Sequence, residues 1–304
     1  MDKTGVLLLN FGAPESLAEV EDFVVHILQG QKPPDHLLKL TKEKYEHIGG
    51  GSPLNSVTSA QAERLAETLK KQGKNYPVYY GMLHSKPFIS QVIGEMVQDG
   101  IKRIFAISLA PFDTKVSTGA YYARVEETVR DLSCDVTVLY KGEWSSHASF
   151  HNLWAEKVIN ALKDDDAPGE VNLIFTAHSL PLEPMGDAGR YERQFQETVK
   201  AVQSKLPHSK VYFAYQSKGK KPGSWLGPQV EEVIAKLSLE GEERALAVPI
   251  GFVSDHLETL YDLDVAAKKH AETMKMKFHR TSALNDDPAF INFLAELVGE
   301  MDLR

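Results

Sequence analysis

Cysteine is almost absent from this sequence, and its scarcity excludes several kinds of site. Cys134 is the single cysteine among 304 residues. One thiol can form no internal disulfide, and it cannot supply the cysteines that an iron–sulfur cluster or a cysteine-only zinc site requires. We therefore expect a protein of the reducing cytoplasm that carries no iron–sulfur cluster.

Positive charge and long apolar runs are also scarce. The formal net charge of −8 at pH 7 provides no positive field to displace counterions from phosphate, so we expect no nucleic-acid partner. The first apolar run, Val6 to Leu9, ends at Asn10. No later run approaches the roughly 18 apolar residues of a membrane-spanning helix, so we expect neither a signal peptide nor a membrane span. Phe23–Leu28 and Leu37–Leu40 leave a peripheral membrane contact open, with ordinary amphipathic packing the favoured interpretation.

Short apolar runs alternate with longer amphipathic segments along the chain. The runs that predict strands are Val6–Leu9, Val78–Gly81, Ile104–Leu109, Val136–Tyr140, Leu173–Thr176, Val211–Ala214, Ala245–Pro249 and, more weakly, Met276–Arg280. The segments that predict helices are Ser59–Gln72, Phe88–Asp99, Gly119–Leu132, Phe150–Leu162, Tyr191–Lys205 and Gln229–Leu239. This alternation is typical of a parallel sheet with helices on both faces.

The two halves of the chain resemble each other. GVLLLNFGAPES matches NLIFTAHSLPLE, VYYGMLHSK matches VYFAYQSKG, and RIFAISLAPF matches RALAVPIGFVSDH, in the same order. We predict an α/β protein with two similar Rossmann-like lobes, 1–150 and 151–304, each a four-stranded parallel sheet flanked by helices, with a cleft between them. The polar stretch Lys163–Glu170 is the expected connection, and we expect the last helix to pack back on the first lobe.

His178 is the most informative single residue. It follows the run Leu173–Thr176 directly, and ligands of open parallel sheets bind beyond the carboxyl ends of the strands. Pro181 keeps the chain from entering a helix at once, which favours a fixed loop. A buried histidine that bonds only to a backbone carbonyl is the competing interpretation.

Acidic residues follow the last strong strand, in the segment SDHLETLYDLD. Ser254 is a suitable helix N-cap, which would place Asp255 in the first turn. Asp255, Glu258 and Asp262 would then share one helix face, where like charges repel unless a cation or water relieves them. A solvated acidic face and a cation path leading to Glu258 are equally consistent with this spacing.

An imidazole near a carboxylate suits two kinds of chemistry. It can bind a borderline divalent ion such as Fe²⁺, Co²⁺ or Zn²⁺, or it can accept protons from a substrate and pass them on. No G-x-S-x-G, G-x-G-x-x-G or Walker motif supports a serine hydrolase or a phosphate site. Aromatic residues near the strand ends could line a slot for a large flat ligand. They are Phe11, Phe112, Tyr121, Tyr122, Tyr215, Trp225 and Phe252.

These motifs together resemble the ferrochelatase family, which inserts Fe²⁺ into a porphyrin in haem biosynthesis. The matching stretches are LLNFGAPES, IGGGSPLNSVTSAQ, GMLH, ISLAPF, TAHSLP, YQSKGKKPGSWLGPQ, VPIGFVSDHLETLYDLD and SALNDDPAF, which cover nearly the whole chain. The resemblance implies a lyase with two Rossmann-like lobes. It implies porphyrin and ferrous iron as substrates, and no tightly bound cofactor.

The resemblance also implies roles for particular residues. His178 and Glu258 would be the catalytic metal-insertion pair, and metal or protons would pass through Glu258 and Asp262. With the aromatic residues included, the expected porphyrin-binding residues are Phe11, Ser52, Pro53, His84, Thr114, Ser117, Thr118, Tyr121, Tyr122 and Trp225. We favour His178 as the base and Glu258 as the ion or proton relay, and the reverse assignment stays open.

Some positions depart from the family pattern. Phe11 stands where relatives that use coproporphyrin III commonly have a metal-ligating tyrosine. Leu28 and Gln29 replace arginines, Leu83 replaces a lysine, and Ala266 replaces an acid found in some relatives. These departures count against a tetra-acid porphyrin and against a second outer cation site. The choice between protoporphyrin IX and coproporphyrin III therefore stays open.

Two other functions stay open at this point. One is a cobalt or nickel chelatase for another tetrapyrrole, and the other is a non-catalytic haem-binding protein. The presence of both His178 and Glu258 disfavours the second, because binding alone does not require the pair. We expect a monomer that makes at most transient contacts with a membrane or with other enzymes of the haem pathway.

Overall fold

A computed structural model of the protein describes residues 3–163, 171–182, 188–207, 209–219 and 223–303. The predicted connection Lys163–Glu170 lies outside these residues, apart from Lys163, which ends a helix. None of the helices within the described residues combines the length and the apolar character that a membrane crossing requires.

The described residues form two four-stranded sheets in which all paired strands are parallel. The first has the order β2-β1-β3-β4 and the second the order β6-β5-β7-β8. The strands are β1 (Thr4–Asn10), β2 (Val78–Met82), β3 (Arg103–Ser108), β4 (Thr137–Lys141), β5 (Asn172–His178), β6 (Val211–Gln216), β7 (Arg244–Val248) and β8 (Lys277–Arg280). Every predicted strand is present and both sheets share one strand order, which confirms the predicted fold class and the similarity of the two halves.

Helices flank both sheets. They are α1 (Val20–Ile27), α2 (Asp35–His47), α3 (Leu54–Lys71), α4 (Ile89–Gln98), α5 (Thr118–Asp131), α6 (Ala148–Lys163), α7 (Ala188–Gln203), α8 (Val230–Leu239), α9 (Leu257–Leu260), α10 (Lys268–Thr273) and α11 (Pro288–Asp302). A π-helix, Asp262–Ala267, lies between α9 and α10. The six amphipathic segments correspond to α3 through α8, with ends shifted by a few residues.

The chain divides into two compact units, Met1–Glu143 with Leu284–Arg304, and Trp144–Ala283. The expected boundary at residue 150 falls inside α6, so a division there would cut a helix. The division instead follows β4, because the 3₁₀ turn Trp144–Ser146 packs against α6 and α7. Helix α11 belongs to the first unit and packs against α3.

The central strands form the floor of each core. All seven residues of β1 are buried, and the side chains of Val6 to Leu9 are fully inaccessible to solvent. In β5, Leu173, Ile174 and Phe175 are equally inaccessible. A strand covered on both faces by helices needs apolar residues at every position, because each buried large side chain contributes about 1.5–3 kcal/mol. This requirement explains why these strands appear in the sequence as unbroken apolar runs.

The glycine-rich loop before α3 packs directly on the segment after β1. A Cβ atom on Gly51 would lie 2.1 Å from the carbonyl oxygen of Glu15, so only glycine fits at this position. The next residue, Ser52, donates its backbone N–H to the carbonyl oxygen of Pro14 at 2.9 Å. The loop that carries Ser52 and Pro53 is therefore held against the carboxyl end of the first sheet.

Asp302 at the end of α11 ties this helix to the first sheet. Its carboxylate accepts hydrogen bonds from the Tyr76 hydroxyl at 2.7 Å and from Lys74 Nζ at 3.2 Å. The Tyr76 hydrogen bond, followed by the interactions with Lys74 and the charge of Arg103, holds the pKa of Asp302 below its usual range despite an opposing effect of burial.

Replacement of Asp302 by asparagine should lower the free energy of unfolding by about 1 kcal/mol at neutral pH, the typical value of such a hydrogen bond. A carboxyl whose pKa is depressed by folding stabilises the folded state above its unfolded pKa of about 3.9 and loses this effect as the pH falls through the folded pKa. Urea denaturation at pH 7 and pH 3 tests this. The difference from wild type should shrink at pH 3, and Asp131→Asn, on the exposed end of α5, should show no comparable loss at either pH. An undiminished difference at pH 3 would contradict the assignment.

Candidate active site

His178 is the last residue of β5, and a hydrogen bond to the backbone of the next residue fixes the orientation of its ring. Its Nδ1 donates a hydrogen bond to the carbonyl oxygen of Ser179 at 2.6 Å. Ser179 is itself held, because its backbone N–H donates to Gln216 O at 2.8 Å and its hydroxyl donates to Leu226 O at 2.7 Å. The backbone carbonyl therefore occupies only Nδ1, and Nε2 is the nitrogen left for chemistry.

Glu258 lies opposite that nitrogen. Its Oε1 is 3.3 Å from His178 Nε2, and its Oε2 is 3.5 Å from His256 Nε2. Gln216, at the end of β6, donates from Nε2 to the backbone carbonyl of Glu258 at 2.6 Å. The side chains of His178 and Glu258 are 36% and 29% exposed. One carboxylate thus lies between two imidazoles at a position that solvent can reach.

The two groups shift each other's pKa in opposite directions. Burial lowers the pKa of His178, but the charge of Glu258, the hydrogen bond to it and the bond to Ser179 raise it by more, so the net pKa is above the usual range. Burial raises the pKa of Glu258, while His178 and then His256 hold it well below the usual range. Both shifts favour the charged forms of the pair, so a metal ion must compete with a proton for Nε2.

Asp262 continues this polar group. It is the first residue of the π-helix Asp262–Ala267, and its carboxylate accepts a hydrogen bond from the hydroxyl of Ser217, the residue after β6. Short π-helical segments within α-helices are frequently found at functional sites. Three of the predicted residues, His178, Glu258 and Asp262, therefore lie at the carboxyl ends of β5, β6 and β7 within one unit.

The prediction that a helix starts after Ser254 is wrong. Helix α9 begins at Leu257, and His256 is its extended N-cap, whose backbone N–H donates to Thr259 Oγ1 at 3.0 Å. Asp255 precedes the helix and pairs with Arg280 at 2.8 Å. Because Asp255 lies outside the helix, it does not share a helix face with Glu258. The guanidinium of Arg280, rather than the helix N-terminus, balances the charge of Asp255.

Arg280, at the end of β8, holds both ends of the acidic segment. Its guanidinium donates to Asp255 Oδ1 at 2.8 Å and to the two carboxylate oxygens of Asp264 at 2.8 Å each. The side chain of Arg280 is only 9% exposed. This fork fixes the start and end of the segment that carries Glu258 and Asp262. The sequence does not predict these ion pairs, because Arg280 appears there only as a basic residue at the end of the weak strand Met276–Arg280.

Trp225 lies on a loop paired with the segment that follows His178. The backbone N–H of Leu226 donates to Leu180 O, and that of Leu182 donates to Ser224 O, both at 2.9 Å. A Cβ atom on Gly219 would lie 2.4 Å from the indole ring of Trp225. The predicted porphyrin-binding residue Trp225 is thus in the same unit as His178 and next to its loop.

The other predicted porphyrin-binding residues belong to the first unit, where a cavity of about 1160 Å³ opens beyond β1 and β2. Phe11 and His84 contribute to its wall, with apolar and charged residues from α1, the loop before α5, and α5 itself. The remaining lining residues are Asp22, Val25, His26, Ile27, Gln29, Gly30, Leu83, Lys115, Val116, Ala120, Ala123, Arg124, Glu127 and Arg130.

The predicted porphyrin-binding residues in α5 and in the loop before it are mostly buried. Tyr121 is 2% exposed and packs in the apolar core of the first unit. Thr118 is 3% exposed, and its hydroxyl lies 2.8 Å from that of Ser108. Neither side chain offers a surface to a ligand. The predicted residues Ser52 and Thr114 are also buried, and Ser117, Tyr122 and Pro53 are partly accessible.

The fold is that of known metal chelatases. SirB from Bacillus subtilis, in a structure with Fe³⁺, matches with a TM-score of 0.63 and 14% sequence identity, over 98% of this chain and 95% of that one. At this identity the likeness concerns the fold alone.

The sequence comparisons are more specific. The family model for ferrochelatase matches residues 3–302. The ferrochelatase of Herpetosiphon aurantiacus is 32% identical over 97% of this chain and 98% of the relative. The coproporphyrin III ferrochelatase of Geobacillus sp. is 33% identical over 97% of both. The chain belongs to the ferrochelatase family, and it is a porphyrin metal chelatase, which confirms the resemblance found in its motifs.

Removal of the Glu258 charge should lower the pKa of His178, because that charge is the main cause that raises it. We expect Glu258→Gln to shift the His178 titration by at least one pH unit, a change of about 1.4 kcal/mol. Histidine NMR of the labelled protein measures this directly, with the exposed His279 of β8 as an internal control. A His178 titration that stays in place would show that Glu258 does not set the charge of the ring.

Proposed function

We propose that this protein inserts Fe²⁺ into protoporphyrin IX or coproporphyrin III, with release of two protons, as a step of haem biosynthesis. Membership of the ferrochelatase family supports this function. The single structural observation that carries it is the contact between His178 Nε2 and Glu258 Oε1 at 3.3 Å.

In this proposal His178 acts as the base. A free-base porphyrin carries two N–H protons that block its centre, so insertion of a metal requires a nearby proton acceptor. Because Nδ1 of His178 is committed to Ser179 O, the ring can accept a proton only at Nε2. The raised pKa makes His178 a stronger base, but Nε2 must lose its own proton before it can accept one from the porphyrin.

Glu258 serves as the relay for the ion or the proton. Its second oxygen faces His256 Nε2 at 3.5 Å, so charge can leave His178 through the carboxylate towards a second imidazole. The imidazole nitrogens and carboxylate oxygens of His178, His256, Glu258 and Asp262 are donors that suit Fe²⁺ as a transient substrate. The second unit supplies these groups without cysteine, and we propose that no tightly bound cofactor takes part.

The cavity in the first unit supports porphyrin binding. Its volume of about 1160 Å³ exceeds the 300–1,000 Å³ common for sites of drug-sized ligands. Phe11, Leu83 and Val116 provide apolar surface for a flat ring, and Lys115 and Arg124 provide positive charge for its carboxylates. Binding energy from the ring periphery is what an enzyme of this kind can use to distort the macrocycle.

The catalytic pair is tested by His178→Ala and Glu258→Gln in anaerobic insertion assays with Fe²⁺. Each change should reduce kcat by at least 10²-fold, the usual contribution of a positioned base, and His279→Ala should leave it unchanged.

The wild-type rate should fall as the pH drops below the raised pKa of His178, because protonated Nε2 accepts nothing. Unchanged rates in both variants would refute the proposed roles. A wild-type protein that binds porphyrin but inserts no iron would refute the activity, and higher rates with Co²⁺ or Ni²⁺ would reassign the metal.

Arg124 should contribute to porphyrin affinity through a substrate carboxylate. It faces the cavity from α5 with its side chain 45% exposed, held by Glu127 at 3.4 Å. Loss of its charge in Arg124→Gln should raise KM for porphyrin roughly fivefold, equivalent to about 1 kcal/mol for an exposed ion pair, with kcat nearly unchanged.

The comparison should include porphyrins with two and with four carboxylates, and Arg64→Gln, on the surface pair with Asp286, as control. A larger rise in KM for the four-carboxylate porphyrin would identify Arg124 as a determinant of that substrate. An unchanged KM for both porphyrins would exclude the contact.

A further inference from the structure

Two histidines of the first unit form a direct contact on the cavity wall. His26 is on α1 and His84 follows β2, and their Nδ1 atoms lie 3.1 Å apart. At this distance one proton lies between the two nitrogens, so one ring donates through Nδ1 and the other accepts. The sequence separates the two residues widely, and only the fold brings them together.

Both rings are held in place by aromatic neighbours and backbone bonds. His26 stacks on Phe88 with a centroid distance of 5.0 Å and an interplanar angle of 22°. His84 contacts the Phe11 ring at 4.5 Å, and its backbone N–H donates to Phe11 O at 2.9 Å. The contact between the Nδ1 atoms therefore joins two oriented rings.

The two rings differ in their access to water. His26 is exposed and His84 is half-buried, while both contribute to the cavity wall. Burial, then the charges of His26 and Arg124, lower the pKa of His84 to about 4. A proton that reaches His84 is therefore held weakly, and the neighbouring ring that can receive it is open to solvent.

We infer that His84 and His26 form a relay that carries one of the two porphyrin protons from the cavity to solvent. The inference rests on the proposed iron insertion. Nε2 of His84 accepts a pyrrole proton as the N–H bond breaks, and the proton on its Nδ1 passes to Nδ1 of His26. His26 then releases its Nε2 proton to water. After the product leaves, water in the open cavity restores the starting tautomers.

Several charged groups surround this pair and set the field in which it works. Asp22 contributes from α1, Lys115 from the loop before α5, and Arg124, Glu127 and Arg130 from α5. Three of these five are cations, and Arg124 in particular disfavours a positive charge on His84. The field thus drives a proton away from His84 rather than trapping it there.

The relay is tested in insertion assays with His26→Ala, His84→Ala and the double variant, with His47→Ala on α2 as control. Each single change should lower kcat about tenfold while KM for porphyrin changes less than twofold. Because both rings serve one path, the double variant should be no slower than the slower single variant. Added imidazole should restore much of the rate of His26→Ala, since this residue is exposed and its removal leaves an accessible gap.

Several results would overturn the relay. They are an unchanged kcat in His26→Ala, a change confined to KM, multiplicative losses in the double variant, or no response to imidazole. His26 lies on the surface, so its variant should fold, and circular dichroism checks this. Failure of the relay leaves wild-type insertion intact, whereas failure of the proposed function removes insertion from the wild-type protein itself.

Discussion

The candidate active site is organised around the contact between His178 Nε2 and Glu258 Oε1 at 3.3 Å. Partial burial disfavours the charged form of each group, and each group offsets this effect as the counter-ion of the other. The surrounding contacts serve this arrangement. Ser179 fixes the tautomer of the imidazole, Gln216 fixes the backbone of Glu258, and Arg280 fixes the ends of the acidic segment.

The two halves share a strand order but carry different chemistry at equivalent positions. In the matched motifs, Phe11 after β1 corresponds to His178 at the end of β5. The first half places an apolar side chain at this position beside a cavity, and the second half places an imidazole there that contacts a carboxylate. One strand order thus carries an apolar residue at one strand end and an ionisable residue at the equivalent end of the other sheet.

Much of the fold follows from the sequence alone, and the site follows only in part. Buried parallel strands require apolar residues on both faces, so Val6–Leu9 and Leu173–Thr176 are unmistakable. The motifs TAHSLP and SDHLETLYDLD, which carry His178 and Glu258, are each visible without a structure. The start of α9 was mispredicted because Ser254 and Asp255 have the composition of a helix N-terminus.

The ion pair between Asp255 and Arg280, which lies at the end of β8, holds Asp255 outside helix α9. The pairing of His26 with His84 depends in the same way on the packing of α1 beside the first sheet. Contacts of this kind join residues far apart in the chain, and neither periodicity nor local propensity contains information about them.

The hydrogen bonds of Arg280 also make the acidic segment dependent on an edge strand. Among the residues that the structure describes, β8 is an edge strand of its sheet and pairs with β7, with Arg280 opposite Ala247. Until this last strand docks, Asp255 and Asp264 lack their shared cation, and the segment between them has no fixed ends. The ion pairs that hold both ends of the acidic segment therefore depend on the pairing of the outermost strand of this sheet.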